Sequence, residues 1–269
     1  MKQLSAGTYY GEINRKFKSN ELLVSDANYT LEKVDWHYHQ NPYFTFIVRG
    51  SLIEGNKKGR HLCHAGDLLF HNWQDAHYNI KPEGLTRGFH IELSPGWEWM
   101  VEANLGKVEG NINIECPQTK LVFHQLYWES FNQDNSSALT IDSLLLNAFS
   151  RLAQDRVISE RHVPKWAYML RDYLRTNFKE LLSLAEIAKL LDLHPVYLSK
   201  EFSRYFGTTM GGYVRKLKVQ HALTLLPQHN LSLTEVAYLS GFADQSHFIR
   251  CFREFIGVVP SLYRKTLFS

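Results

Sequence analysis

The hydrophobic rhythm of the chain changes once, near its middle. Apolar positions first come in short runs, at 42–53 (Pro-Tyr-Phe-Thr-Phe-Ile-Val-Arg-Gly-Ser-Leu-Ile), 66–71, 76–80 and 87–93, rich in β-branched and aromatic residues and bounded by Gly, Pro, Asn or Asp. Such runs predict β-strands, and their spacing predicts a small antiparallel barrel or sandwich. From about residue 117 the period is helical. It is clearest where Ile141, Leu144, Leu145, Ala148, Phe149 and Leu152 recur at intervals of three and four behind Ser136-Ser137. One face of that helix needs cover, either from its own chain or from an antiparallel helix of a second copy.

From residue 161 onward the pattern stays helical and repeats itself. Leu182-Ser-Leu-Ala-Glu-Ile-Ala-Lys-Leu-Leu-Asp-Leu193 aligns with Leu231-Ser-Leu-Thr-Glu-Val-Ala-Tyr-Leu-Ser-Gly-Phe242. After a one-residue slip the match continues, pairing Leu198 with Phe248, Lys200 with Arg250, Phe202 with Phe252, Gly207 with Gly257 and Tyr213 with Tyr263. A unit that occurs only twice is too few for a stacked solenoid. Each copy instead has the grammar of a helix-turn-helix. Ser183-x-x-Glu186 and Ser232-x-x-Glu235 are capping boxes that start a short helix. Ala188 and Ala237 leave room for a crossing helix, and Asp192 and Gly241 are types that tolerate a left-handed turn. Second helices follow at once, with Pro195 suited to a first helical position and Asp244 to a cap.

The apolar stripes of these second helices are Leu198, Phe202 and Phe206, then Phe248, Phe252 and Phe255. Their other faces offer Val196, Tyr197, Ser199, Lys200 and Arg204 in the first copy and Gln245, Ser246, His247, Ile249, Arg250 and Arg253 in the second. Gln and Arg can pair with adenine and guanine edges while Lys, Ser and His reach phosphates, so these faces suit a DNA major groove. The plain alternative for each is a solvated surface. Lys216 and Lys218, on the connector between the copies, are expected to reach phosphates irrespective of sequence.

Charge sharpens this picture. The net charge of +3 hides a front (residues 1–160) with 15 Lys+Arg against 19 Asp+Glu and a back (161–269) with 15 against 8. A basic back half is the footprint of a partner that is a polyanion, although a merely lysine-rich helical domain would share it. Length and composition, 269 residues with 44% apolar and 21% charged, predict two soluble domains with real cores. No apolar run nears the roughly 18 residues of a membrane helix, and the first positions carry Lys2, Glu12, Arg15, Lys16 and Lys18 without an apolar stretch, so neither a membrane span nor secretion is expected. Cys63, Cys116 and Cys251 are far apart in sequence, which fits reduced thiols in a cytoplasm.

The segment Gly241-Phe-Ala-Asp-Gln-Ser-His-Phe-Ile-Arg-Cys-Phe-Arg-Glu-Phe-Ile-Gly-Val-Val-Pro-Ser-Leu-Tyr-Arg264 resembles the C-terminal signature of AraC/XylS-type transcription regulators. The resemblance covers about residues 163–268 and implies helices 195–206 and 244–256 in successive major grooves, with 209–227 as a stiff connector. The first copy departs from the pattern, with Met210 where the second has Pro260, Asp192 for the turn glycine, and Val196 at a base-facing position.

For the front, Trp36-His-Tyr-His39, Gly66-Asp-Leu-Leu-Phe-His71 and Ala76-His77 resemble the cupin-type sensor barrel common in that family. The fold class expected is therefore a multi-domain α and β chain. It comprises a cupin-like antiparallel β-barrel (1–95), a helical linker and dimerisation region (96–160), and an all-α double helix-turn-helix domain (161–269). Strand alternation puts His37 and His39 on one face, and His77 could complete a three-imidazole set for a divalent metal. Metal-binding cupins also use a glutamate soon after the His-x-His pair, and here no carboxylate appears before Glu54. The alternative is a set of pocket or core histidines. Tyr43 and Phe46 join His37, His39 and His77 as candidates for contact with an effector.

No phosphate loop, zincin helix or nucleophile elbow is present. The reading that follows is a cytoplasmic, sequence-specific transcription regulator, a homodimer whose barrel binds a small-molecule effector, whose tail binds a double-stranded operator, and which contacts RNA polymerase. Two alternatives stand beside it: a metal-dependent cupin oxygenase or isomerase carrying a DNA-binding tail, and a tail that docks protein.

Overall fold

A computed structural model describes residues 1–106, 111–132, 134–160, 163–180 and 183–268; Leu182 of the repeat lies outside them. The chain divides into two compact units, one formed by residues 1–153 together with 266–269, the other by residues 154–265.

Among the described residues the first unit has eleven strands: β1 (Lys2–Leu4), β2 (Glu12–Ser19), β3 (Leu22–Tyr29), β4 (Lys33–His39), β5 (Tyr43–Arg49), β6 (Ser51–Asn56), β7 (Gly59–His64), β8 (Leu68–His71), β9 (His77–Ile80), β10 (Thr86–Leu93) and β11 (Asn111–Asn113). They form two sheets, in the orders β1-β4-β9-β6-β7 and β11-β8-β5-β10-β3-β2. The expected closed barrel is thus two separate sheets, and β1 runs parallel to β4 where antiparallel pairing was expected. Edges are blunted by charge instead of by closure: β2, with Glu12, Arg15, Lys16 and Lys18 along it, is mostly exposed. The run 42–53 breaks into two strands because Gly50 turns the chain at φ +78°, with the Leu85 carbonyl against its Cα.

Helices α1 (Glu98–Leu105), α2 (Pro117–Asn132) and α3 (Ser137–Glu160) follow. β5 is buried on both faces, and its alternation sorts two environments. Phe44 and Phe46 face the helices, Phe44 lying 5.0 Å from Phe123 and 5.7 Å from Phe149 between ring centroids, and Phe46 4.5 Å from His124. Tyr43 and Thr45 face a cavity. Ile141, Leu145, Ala148, Phe149 and Leu152, on the apolar face read from sequence, are buried, so the unit covers that face of α3 itself.

Burial also sets an acid limit on this unit. His124, buried against the Phe46 ring, is pushed down to about 3, chiefly by desolvation and secondarily by the Lys120 charge. Unfolded, the ring titrates near 6.5, so between these values the unfolded chain binds more protons and stability is lost as pH falls. His124 alone removes about 2 kcal/mol between pH 6.5 and pH 5. Urea melts should show a lower midpoint at pH 5 than at pH 7, and equal midpoints would refute the burial of a neutral ring.

The second unit holds α4 (Lys165–Asn177), α5 (Leu184–Leu190), α6 (Pro195–Phe206), α7 (Met210–Leu225), α8 (Leu233–Leu239), α9 (Gln245–Ile256) and α10 (Pro260–Thr266); Thr266 itself groups with the first unit. One core gathers Leu170, Leu174, Ile187, Ala188, Leu198, Phe202 and Tyr213. The repeated positions Val236, Ala237, Phe248, Phe252 and Tyr263 are buried likewise.

Candidate functional site

Two places in the chain concentrate chemistry. The first is the pair of second helices, α6 and α9. Both capping boxes form, with Ser183 and Ser232 hydroxyls accepting the Glu186 and Glu235 amides while the carboxylates return to the serine amides. Both turns then pass through positive φ, +54° at Asp192 and +77° at Gly241. Gly241 is doubly required, since a Cβ there would stand 2.8 Å from the Lys179 Cα. Caps start α6 and α9 in turn: His194 Nδ1 accepts the Val196 amide at 3.3 Å, and Asp244 accepts the His247 amide at 2.7 Å. Left-handed Gly207 and Gly257 end them.

The candidate readers fall on the outer faces of these helices. Val196, Tyr197, Ser199, Lys200 and Arg204 on α6 are exposed, as are Ser246, Arg250 and Arg253 on α9; Gln245 and His247 are half-buried. Equivalent positions carry equivalent charge, Lys200 against Arg250. Two side chains are already engaged. Arg204 meets Glu201 at 3.2 Å, and the Gln245 Oε1 accepts the Thr234 hydroxyl at 2.7 Å, which leaves its amide as a donor. Bidentate pairing with adenine would require Gln245 to release Thr234.

The connector corrects one expectation. Lys218 is not free to reach phosphate, because its ammonium donates to the Gly241 carbonyl at 2.5 Å, just past the C-terminus of α8. A cation there caps unpaired carbonyls and meets the negative end of the helix dipole. His221, one turn along α7, pairs through Nδ1 with the Ser240 hydroxyl at 3.2 Å and lies 5.4 Å from the Phe178 ring. Lys218 and His221 therefore hold the turn of the second helix pair onto the connector. Sequence reasoning missed this because a lysine on a helix surface carries no sign of which acceptor folding brings to it.

The second place is the cavity in the first unit. His37 and His39 from β4 and His77 from β9 line it together with Tyr43 and Thr45 from β5. Strand alternation turns His37 and His39 to the buried side, while Trp36 between its neighbours stays 41% exposed against the Tyr78 ring. Phe46, expected to touch an effector, lies instead under α2, because it is one residue out of phase with Tyr43 and Thr45 on a strand buried on both sides.

Sequence reading also missed Tyr9, Tyr10, Tyr29, Glu54 and His90, which line the same space from distant parts of the chain. Tyr9 stacks on His90 at 4.2 Å between centroids, and Tyr10 meets His37 edge-on at 5.1 Å. Buried Glu92 fixes the segment that carries these tyrosines, accepting the Gly7 amide at 2.6 Å and the Asn41 side chain at 2.9 Å. His71, at the end of β8, stacks on Tyr43 at 4.4 Å. Desolvation keeps these imidazoles neutral, pushing His39 down to about 2 and His77 and His90 to about 3. The same burial pushes the Glu54 carboxyl up to about 8. The cavity is thus a polar but largely uncharged room at neutral pH, in which lone pairs on nitrogen are available.

Cys63 and Cys251 are buried and Cys116 is half-buried, all three as free thiols. No helix among the described residues is long and apolar enough to cross a membrane.

A family profile described as a helix-turn-helix domain matches residues 187–266. Over 97 residues the chain is 33% identical to an uncharacterised helix-turn-helix transcriptional regulator of Bacillus subtilis, YobQ, covering 36% of this chain and 40% of that protein. Over 124 residues it is 26% identical to the melibiose operon regulatory protein of Escherichia coli, covering 46% of this chain and 40% of that protein. The chain thus spans less than half the length of these curated relatives. Among solved structures, ToxT from Vibrio cholerae aligns over 93% of this chain and 100% of its own at 15% identity and a TM-score of 0.39.

Proposed function

We propose, from the premise that this chain carries a helix-turn-helix domain of the AraC type at its C-terminal end, that it is a sequence-specific transcription regulator which reads operator DNA with α6 and α9 and binds an effector in its histidine-lined cavity. One observation carries the DNA reading. The duplicated second helices are capped and anchored on their apolar sides, while Lys200, Arg204, Arg250 and Arg253 stand exposed on the others. In this reading Arg250 pairs with a guanine edge, Lys200, Arg204 and Arg253 neutralise phosphates, and Ser199, Ser246 and His247 add polar contacts. Val196, 70% exposed, suits a thymine methyl, which needs an apolar partner and no hydrogen bond.

Duplex titration over a range of salt concentrations tests this. Three phosphate contacts predict that log affinity falls with log salt at a slope of about −2.7. Arg250→Ala should lose about 1–3 kcal/mol of discrimination at one base position, whereas Arg253→Ala should weaken all sequences alike. A tail that docks protein would show neither. Leu139, 73% exposed, and Leu146, 44% exposed, lie seven residues apart on α3 and support pairing of two copies through its outer face. The effector part of the proposal rests on the cavity, and operator affinity with and without ligand tests it. Turnover of a small substrate would instead favour the enzymatic alternative.

A further inference from the structure

The cavity itself limits what can occupy it. Its free volume is about 20 Å³, against the roughly 10–15 Å³ that one water molecule needs. A single ion fits that space. Three imidazoles converge on this space: one ring nitrogen from each of His37, His39 and His77 lies within 4.8 Å of the other two, and all three side chains are buried.

Hydrogen bonds fix how two of these rings present themselves. His37 Nδ1 lies 2.9 Å from the Asp35 carbonyl oxygen and His77 Nδ1 lies 3.0 Å from that of Asp75. A carbonyl can only accept, so each ring carries its proton on Nδ1 and, being neutral, leaves Nε2 as a lone pair. Backbone carbonyls that hold the far nitrogen in this way are how proteins orient imidazoles for a metal. At His77 the lone pair accepts the Tyr43 hydroxyl at 3.1 Å. At His39 the donor set is incomplete, since its Nδ1 is buried without a hydrogen-bond partner. A cluster serving only as core packing leaves that polar atom unsatisfied, at a cost of about 1–3 kcal/mol.

We infer that His37, His39 and His77 form a binding site for a divalent first-row transition-metal ion of the zinc type. Nitrogen donors select that class over magnesium or calcium, which take oxygen, and three imidazoles with a fourth position left to a small ligand suffice for zinc. The inference deepens the effector reading, since it rests on the same cavity and names the chemical class of its occupant.

The 269-residue chain, stripped with a chelator, is dialysed against zinc chloride and separately titrated with cobalt(II), whose visible absorption reports nitrogen ligation. The expected result is one ion per chain and a cobalt band that zinc abolishes. His39→Gln, which keeps a polar side chain of similar bulk, should weaken binding by at least about 100-fold, while His64→Ala, at an exposed position on β7, should retain full stoichiometry. Because the wild-type measurement needs no variant to fold, a stripped chain that takes up no zinc overturns the site. Undiminished zinc uptake by His39→Gln overturns it equally. Duplex affinity measured on the same samples separates the two readings. A loaded site with unchanged operator affinity leaves the metal in place and removes its role as effector, whereas DNA binding without metal uptake does the reverse.

Discussion

Phe252→Ala should abolish DNA binding by unfolding the second helix pair. The ring is fully buried on α9, 5.6 Å from Phe248 and 5.8 Å from Tyr263 between centroids. Truncating a buried phenylalanine costs about 3–5 kcal/mol in lost transfer energy and cavity. Domains have only about 5–15 kcal/mol of stability in all. Thermal melts should show a strongly lowered transition, and duplex affinity should vanish at temperatures where the parent still binds. Phe255→Ala, at a half-buried ring on the same helix, is the comparison, with a smaller loss. Were Phe252→Ala to melt and bind as the parent does, α9 would not be anchored through this stripe.

A comparable loss is expected in the first unit from Asp26→Ala. Arg87 on β10 donates through Nε to Asp26 Oδ1 at 2.7 Å and through Nη2 to Oδ2 at 2.5 Å. Both residues are at most 5% exposed. The two-point fork is the strongest form of ion pair, but its main energetic weight lies in the damage when one partner goes. Alanine at 26 leaves a buried guanidinium without its counter-charge, for about 3–5 kcal/mol. Denaturant melts of the full chain should show the first unit unfolding early while duplex binding persists. Replacing both partners by apolar residues of similar volume, Asp26→Leu with Arg87→Met, should recover much of the loss. If the single and double variants were equally unstable, the charge would not be the cause.

What could be read from sequence follows from how local each signal is. Capping boxes, turn residues and helix-stopping glycines act within a few positions, so the double helix-turn-helix was legible residue by residue, down to the positive φ at Asp192 and Gly241. The expected His37–His39 face was legible for the same reason, because alternation on one strand decides it. Strand β2 was not. Its Lys, Arg and Glu residues belong to an exposed edge and leave no apolar run to detect. Phe46 was placed in the cavity because a strand buried on both faces shows no alternation between them. Glu54 comes from β6, which pairs with β9, whereas His71 and His90 come from β8 and β10 of the other sheet, so only register and the packing of one sheet against the other bring them near His77. Lys218 shows the same limit in a helix, since its acceptor lies 23 residues away.

Near its end the chain contributes a last piece to the first unit. The Arg87 Nη1 points at the carbonyl oxygens of Thr266 and Leu267, at 3.4 and 3.3 Å, and the Tyr127 hydroxyl donates to Thr266 at 3.0 Å. Residues 266–269 group with 1–153, so the front unit is discontinuous in the gene. A stop codon after position 153 would yield a fragment missing the internal hydrogen bonds that Arg87 and Tyr127 make to Thr266 and Leu267. Dissection by truncation would then misreport a fragment's folding defect as dependence on the second unit, and a graft that keeps the last four residues on a short tether is the sounder way to isolate it.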